Sequence, residues 1–305
     1  MNRLNLFPKP AFIERMKQLL PDEKDFQNYL EILKHEPVRS IRCNTLKISP
    51  SELKKRLEEK NWKTSQPWKN YPEVMIVEGK IKKIQDADKN NIADNQKNKI
   101  NNKKTSKNFR INNFLTENRD EVRFEVNQSA NKVSSNLGWA GGNNLIPLEP
   151  GELGRSLEHL LGYYYIQELA SMLPTIALDP HENELILDLA ASPGSKTTQI
   201  SAKINNTGTI IANEISLGRI KILASNLERC GCTNVIITRK DGVAFCERIK
   251  KFNPEMKFDK ILVDAPCSGE GTLRSTPKTY QMWNPKTIQS LSRLQKHLVS
   301  NAIEI

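Results

Sequence analysis

The stretch DKILVDAPCSGEGTLRS, residues 259–275, places an acid and a thiol together on one short loop. An apolar run ends at Asp264, and Cys267 follows after one alanine and one proline, where glycines open the loop to solvent. A thiolate is a strong nucleophile, and it can also leave again after an addition step. Asp264 and Cys267 are therefore the first candidates for catalytic residues.

Acids also close the other apolar runs in this half of the chain. Asp188, Glu214 and Asp241 each lie at or just beyond the end of a short run, as Asp264 does. Ligands of parallel α/β sheets bind outside the carboxyl ends of the strands, so we expect these acids to meet at one edge. Glu214 is placed to accept both ribose hydroxyls of a nucleoside-containing cofactor, and Asp241 to meet an adenine amino group.

The segment AASPGSK follows the first of these runs and completes a candidate cofactor site. Pro193 and Gly194 predict a tight turn, and a helix that starts at Lys196 favours negative charge at its N-terminus.

PGSKTT with KILVDAP also resembles the phosphate-binding loop and the metal-binding acid of an NTPase. That loop requires GxxxxGK[ST], whereas Ser195 separates Gly194 from Lys196 and Ala190 occupies the place of the first glycine. A ring of carboxylates suits S-adenosylmethionine better than a triphosphate.

Apolar runs alternate with helical segments through the second half of the chain. ELILDLA, GTIIANE, NVIITRKDG and FDKILVDAP predict strands, whereas KTTQISAKI, GRIKILASNLERCG, residues 245–252 and NPKTIQSLSRLQKHLVSNAIEI predict helices. This rhythm predicts an α/β fold with a parallel, doubly wound sheet. Before it, the apolar residues between Leu157 and Leu173 predict a helix that Pro174 ends or bends.

Residues 1–78 predict a small α+β domain. AFIERMKQLL, DFQNYLEILKHE and SPSELKKRLEEKNW have helical spacing, and SIRCNTLKI and VMIVEG predict strands. The basic strand either follows an RNA backbone, through Arg39, Arg42, Asn44 and Lys47, or is an exposed edge strand. Residues 79–136, rich in Lys, Asn and Asp, bury too little apolar surface to offset their ordering entropy, which predicts a disordered insertion.

Charge and cysteine usage narrow the class of protein. A formal net charge of +11 favours a nucleic-acid partner over a merely solvated basic surface. No stretch approaches the roughly 20 apolar residues of a membrane span, and the N-terminus does not have the pattern of a signal peptide. Five cysteines without a CxxC pattern predict an intracellular, cytoplasmic protein with no metal site, the nucleus and nucleolus remaining open.

Three long segments together resemble a known family. LDLAASPGSKTTQI, IANEISLGRIKILASNLERCGCTNVIITRKDG and ILVDAPCSGEGTLRSTP resemble the successive motifs of the NSUN-type (Sun/RsmB) RNA (cytosine-5) methyltransferases. The resemblance implies a class I S-adenosyl-L-methionine-dependent methyltransferase domain over residues 145–305, with a Rossmann-like parallel sheet incomplete at its C-terminus. A small N-terminal α+β RNA-binding domain precedes it. RNA is the implied partner, with tRNA ranked before rRNA.

The resemblance also assigns roles to residues. Glu214 holds the ribose, Asp241 the adenine, and Asp264 lies between cofactor and target base, with Arg219 bracing the cofactor side. The family usually has Cys and Ala where this chain has Ala190 and Ser192, and both replacements are small. The loop that cradles the methionine part of the cofactor comprises Ala190, Ala191, Ser192, Pro193, Gly194, Ser195 and Lys196.

The implied reaction transfers a methyl group to carbon 5 of a cytosine after a thiolate has added to carbon 6. Cys267 resembles the cysteine that assists release of the methylated product, whereas the nucleophile belongs to a Thr-Cys motif after the next strand. This sequence contains no Thr-Cys pair, so we expect a C-terminally truncated fragment of a longer enzyme. A chain completed by a second polypeptide and a noncatalytic RNA- and cofactor-binding module are the alternatives.

Overall fold

A computed structural model describes residues 8–33, 35–82, 145–276 and 279–305. From residue 83 onward, the predicted insertion lies outside the described residues. Its first three residues, 79–81, belong to a strand.

The first domain is an antiparallel sheet covered by short helices. The elements are α1 (Pro10–Leu19), α2 (Glu23–Leu33), β1 (Ser40–Cys43), α3 (Pro50–Glu59), β2 (Trp62–Ser65), β3 (Val74–Ile81), β4 (Leu145–Ile146), α4 (Glu152–Arg155), α5 (Leu157–Leu160) and β5 (Tyr164–Ile166). The strands are ordered β2-β3-β1-β5, with β4 paired to β3. Ser49 caps α3 by accepting the Glu52 N–H at 3.2 Å.

Two expectations for this region are wrong. β1 pairs with β3 on one side and β5 on the other, so it is not an exposed edge strand. The helix expected between Leu157 and Leu173 is interrupted at Gly162, which lies just after α5 and has a φ of +73°. The tyrosine run that follows forms β5, since aromatic residues suit a half-buried pleated surface. β4 and β5, which lie at or after residue 145, both pair within the first sheet.

The second domain has the predicted parallel sheet. The elements are α6 (Leu169–Leu178), β6 (Leu185–Asp188), α7 (Ser195–Lys203), β7 (Thr209–Asn213), α8 (Leu217–Cys230), β8 (Val235–Thr238), α9 (Gly242–Phe252), β9 (Lys260–Leu262), α10 (Thr279–Met282) and α11 (Pro285–Ala302). The strands are ordered β8-β7-β6-β9. Pro174 lies inside α6 rather than ending it, because the fully buried Met172 and Thr175 hold the helix there by packing.

The position of β6 brings the candidate site together. Asp188 is in register with Ala212 of β7 and Leu262 of β9, so the loops after the three strands begin side by side. Alternate residues of β6 enter different cores: Ile186 packs with residues of α7, and Leu187 with residues of α9 and α11. Helices therefore cover both faces of the sheet, and the loops at its carboxyl edge carry the polar residues.

Within the described residues, β9 is an edge strand of this sheet. A groove of about 610 Å³ lies between β9 and the end of α11, and its lining includes Phe258, Ile261, Val263 and Val299. In the described part of the chain, the sheet that the resemblance implies to be incomplete therefore has an open edge at β9. An apolar edge of this kind favours pairing with a further strand.

Gly162 lies where the two domains meet. A Cβ there would lie 1.9 Å from the carbonyl oxygen of Arg229, and the φ of +73° is strained for any other residue. We expect Gly162→Ala to lower the free energy of unfolding by at least about 2 kcal/mol, as measured by urea denaturation. Gly271→Ala is the matched control, because a Cβ at that position meets nothing within 4 Å. An equal loss in the two variants would contradict this account.

Candidate active site

The loop between β6 and α7, residues 189–194, makes a tight turn at Gly194. The N–H of Gly194 donates to the carbonyl of Ala191 at 2.8 Å, and its φ is +99°. α7 begins at the next residue, so the N–H groups of its first turn have no acceptor within the helix. A helix start of this kind favours a negatively charged ligand group.

Side chains of α8 hold the carbonyls of this loop. Arg219 donates through Nη2 to the Ser192 carbonyl, while the Ser192 hydroxyl donates to the Arg219 carbonyl at 2.9 Å. Asn226 Nδ2 donates to the Pro193 carbonyl at 2.9 Å. An alanine at position 192 could not make the hydroxyl bond. Ser192 therefore adds a contact between the loop and α8.

Glu214 follows β7 and is buried, with 3% of its surface exposed. Its Oε1 accepts the Ser216 N–H at 2.9 Å, and Arg219 Nε lies 3.5 Å from Oε2. The preceding Asn213 donates to the Leu189 and Lys240 carbonyls at 3.1 and 3.0 Å. Asn213 thereby fixes the loops after β6 and β8 relative to Glu214.

Asp241 lies beyond β8 as the N-cap of α9. Its Oδ1 accepts the Ala244 N–H at 3.1 Å, and the residue is exposed. The second carboxylate oxygen remains available to a ligand.

Lys196 and Asp264 join the first turn of α7 to the loop after β9. Lys196 Nζ lies 2.5 Å from Asp264 Oδ2, with 13% of the lysine side chain and 52% of the aspartate side chain exposed. The ion pair holds the Asp264 carboxylate at the mouth of the site.

Asp188 lies beneath this pair and is 1% exposed. Its Oδ2 accepts the Thr197 hydroxyl at 2.7 Å, while its Oδ1 has no hydrogen-bond partner. Burial raises the pKa of Asp188 to about 6. The hydrogen bond from Thr197 opposes this rise, the negative charge of Asp264 adds to it, and the positive charge of Lys196 opposes it.

Cys267 is exposed on the loop after β9, as predicted. The preceding Pro266 carbonyl accepts Gln295 Nε2 at 2.8 Å, which ties the loop to α11. Cys43, Cys230 and Cys246 are buried and Cys232 is half-buried, and none of the five is in a disulfide. Cys267 is thus the cysteine that presents its thiol to solvent.

The N-terminal helices pack against the segment that follows Cys267. Glu270 accepts from Arg15 Nε at 3.0 Å and from Trp283 Nε1 at 2.7 Å. The buried Trp283 ring meets Phe12 edge-on, with 5.2 Å between the ring centroids. α1 therefore supports the loop after β9 from outside the second domain.

We expect Glu270→Ala to lower the free energy of unfolding by about 1–3 kcal/mol, because the buried Trp283 N–H loses its acceptor. Thermal unfolding measures the loss, and hydrogen exchange of residues 267–276 should become faster. Glu255→Ala, at an exposed acid, is the control. Exchange of the loop at its original rate would show that Glu270 does not support it.

The four residues predicted to contact RNA make a different set of contacts. Arg42 and Asn44 are each 2% exposed, and Asn44 Nδ2 donates to the Gly162 and Cys230 carbonyls at 2.8 and 2.7 Å. The prediction that Arg42 and Asn44 contact RNA is therefore wrong for this structure, because both point into the interface between the domains. Arg39 and Lys47 retain exposed surface, and their RNA contact stays a prediction.

Sequence reasoning placed Asp188 only as an acid at a strand end, and it gave no role to Asn213, Glu270 or the Ser192 hydroxyl. Asn213 also lies at a strand end, and Glu270 follows Cys267 by three residues, so position alone could have singled out both. In the described ranges, no three His, Cys, Asp or Glu side chains are arranged to hold a metal ion. None of the helices described is both long and apolar enough to span a bilayer.

The parallel sheet, with a glycine turn after β6 and acids after the next strands, has the Rossmann-like fold of class I S-adenosyl-L-methionine-dependent methyltransferases. Two solved structures from Pyrococcus horikoshii share it. NSun6 with SFG has a TM-score of 0.65 at 23% identity over 99% of this chain and 80% of its own. A methyltransferase homolog protein has a TM-score of 0.58 at 24% identity over 97% and 73%.

Family profiles match both domains. The profile of 16S rRNA methyltransferase RsmB/F matches residues 175–305, and that of the N-terminal domain of RsmF matches residues 8–72. The chain belongs to the Sun/RsmB family of RNA methyltransferases.

Curated relatives resemble almost the whole chain. Ribosomal RNA small subunit methyltransferase F of Aliivibrio salmonicida is 33% identical over 98% of this chain and 48% of its own length. The protein of the same name from Shigella dysenteriae is 34% identical over 96% and 46%. The chain thus spans about half the length of the curated relatives that it matches.

Proposed function

We propose that this chain binds S-adenosyl-L-methionine and forms the cofactor-binding part of an enzyme that methylates carbon 5 of a cytosine in ribosomal RNA. The observation that carries the proposal is the meeting of the loop after β6, Glu214, and the Lys196–Asp264 pair at one edge of the sheet. The exposed Cys267 lies on the same loop as Asp264.

The residues present fit the cofactor in two respects. Glu214 is buried, and its carboxylate oxygens have lone pairs that could accept the two hydroxyls of a ribose. Asp188 Oδ1 is a buried oxygen without a hydrogen-bond partner. The cofactor, when bound, supplies an electrophilic methyl group. The first turn of α7 would hold its carboxylate, Glu214 its ribose, and Asp241 its adenine amino group.

On the side of the base, Asp264 would accept hydrogen bonds from the Watson–Crick edge of a flipped or unpaired cytosine. Lys196 orients the Asp264 carboxylate for this contact. Cys267 would assist release of the product, as its place in the family motif implies. The covalent nucleophile would come from a Thr-Cys motif supplied by further polypeptide.

Ribosomal RNA, ranked second from the sequence, now ranks first. The relatives named above are ribosomal RNA small subunit methyltransferases, whereas nothing specific supports tRNA. The net charge of +11 suits either polyanion. An intracellular location accompanies this proposal.

The test has two stages. Calorimetry with S-adenosyl-L-methionine asks whether this chain forms the cofactor site. Methyl-tritiated cofactor with the full-length native protein then asks whether small-subunit rRNA or tRNA is labelled at cytosine. Binding followed by labelling of rRNA supports the proposal. Labelling of tRNA alone would overturn the substrate, and binding without transfer to either RNA would favour the noncatalytic alternative.

A further inference from the structure

Arg42, in the middle of β1, reaches from the first domain to the first turn of α7, directly after the loop that follows β6. Its Nη1 donates to the carbonyl of Ser195 at 2.7 Å, and its Nη2 donates to Thr198 Oγ1 at 2.8 Å. Nη1 also donates to Gln167 Oε1 at 2.5 Å. Ser195 is the first residue of α7, so a side chain of another domain fixes the point where the candidate cofactor loop becomes a helix.

The charge of this guanidinium is unusual for a buried group. Burial lowers the pKa of Arg42 to about 10, so the side chain remains protonated at neutral pH. Its acceptors are all neutral, and no carboxylate among the described residues lies within ion-pair distance of it. A buried charge without a counter-ion raises the free energy of the folded state unless hydrogen bonds compensate for its lost hydration.

The surroundings of Arg42 keep it in one place. The guanidinium carbon lies 5.6 Å from the centre of the Tyr165 ring. Gln167 donates to the Ser171 carbonyl and to Gln199 Oε1, both at 3.1 Å, so the acceptor of Arg42 is itself fixed. The network extends from β1 through the start of α6 to α7.

We infer that Arg42 is a positioning residue that holds the cofactor loop in its ligand-binding conformation. By occupying the Ser195 carbonyl, it orients the first turn of α7, whose N–H groups then face the ligand. Its unneutralised charge also adds to the positive end of that helix, which favours the carboxylate of the cofactor. The inference rests on the proposed function for the identity of the ligand, but not for the ordering of the loop.

Arg42→Lys tests this role because it keeps the charge but cannot span three acceptors. Hydrogen exchange without ligand is measured first. We expect the amides of residues 192–198 to exchange about tenfold faster than in the native chain, with those of Thr209–Asn213 unchanged. Calorimetry should then show S-adenosyl-L-methionine affinity lowered about tenfold or more. Arg56→Lys is the control, because Arg56 lies on α3 and pairs with Glu52 away from the loop.

Thr198→Val removes one acceptor of Arg42, together with the 3.1 Å bond from Thr198 Oγ1 to the Ser195 carbonyl, and leaves Arg42 intact. It covers the case in which Arg42→Lys fails to fold. We expect its loop to exchange about threefold faster. A purely structural Arg42 would instead speed exchange throughout the sheet and leave the affinity of the folded protein unchanged, which would overturn the inference. Unchanged exchange at residues 192–198 would also overturn it. Faster loop exchange in a chain whose native form binds no cofactor would support the positioning role and refute the proposed function.

Discussion

Glu214→Ala should weaken S-adenosyl-L-methionine binding by about a hundredfold or more. A buried carboxylate that accepts two ribose hydroxyls contributes two hydrogen bonds to a charged group, each worth about 1.5–3 kcal/mol. Every 1.4 kcal/mol corresponds to about tenfold in affinity. Calorimetry on the folded variant measures the change. Glu228→Ala, at an exposed acid on α8, should bind like the native chain.

Glu214→Gln separates the charge of this residue from its place in the fold. The amide oxygen can still accept the Ser216 N–H, so the turn after β7 should persist while one acceptor and the charge are lost. We expect a loss of affinity smaller than for Glu214→Ala. Native affinity in both variants would show that Glu214 does not hold the cofactor.

Asp188→Asn should stabilise the protein at neutral pH by up to about 3 kcal/mol. The pKa of Asp188 rises from 3.8 to about 6 on folding, and each unit corresponds to about 1.4 kcal/mol. Between these two values the native state keeps a proton that the unfolded chain releases. The contribution of Asp188 to stability therefore falls as pH rises from 4 to 6 and stays low above that. The amide variant carries no such penalty and can still accept the Thr197 hydroxyl.

Urea unfolding of both proteins between pH 4.5 and pH 8 measures the difference. The gain in Asp188→Asn should grow with pH up to about pH 6 and then level off. Asp179→Asn provides a control of opposite sign, because Lys203 lowers the pKa of Asp179 and its charge stabilises the fold above the unfolded pKa. A pH-independent difference for Asp188→Asn would show that burial does not raise its pKa.

Hydrophobic periodicity predicted the second domain well. Each of the four apolar runs is a strand and each intervening segment a helix, since local pattern and tertiary burial agree there. The first domain was harder. β5 interrupts a segment whose leucines have helical spacing. This part of the chain forms a strand because it pairs with β1, more than a hundred residues earlier. Pro174 likewise follows packing rather than propensity.

The candidate site was predictable to the extent that it depends on strand ends. The loop after β6, Glu214, Asp264 and Cys267 lie where the alternation of strands and helices places them. Arg42 was assigned wrongly, because the sequence shows a basic residue but not which way its side chain points. Burial turns that residue from a surface contact into a support of the loop. Arg42 is buried because β1 pairs with β3 and β5, and one sequence does not reveal such long-range pairing.

Three side chains of the first domain donate to backbone carbonyls of the second. Arg42, Asn44 and Lys47 donate from β1 and the turn after it, and the carbonyls of Ser195, Cys230 and Arg229 accept. Every amino acid carries the same carbonyl, so replacing an accepting residue keeps the acceptor as long as the backbone path is kept. At these three bonds, loss of the donor side chain should therefore weaken the contact between the domains more than replacement of the accepting residue.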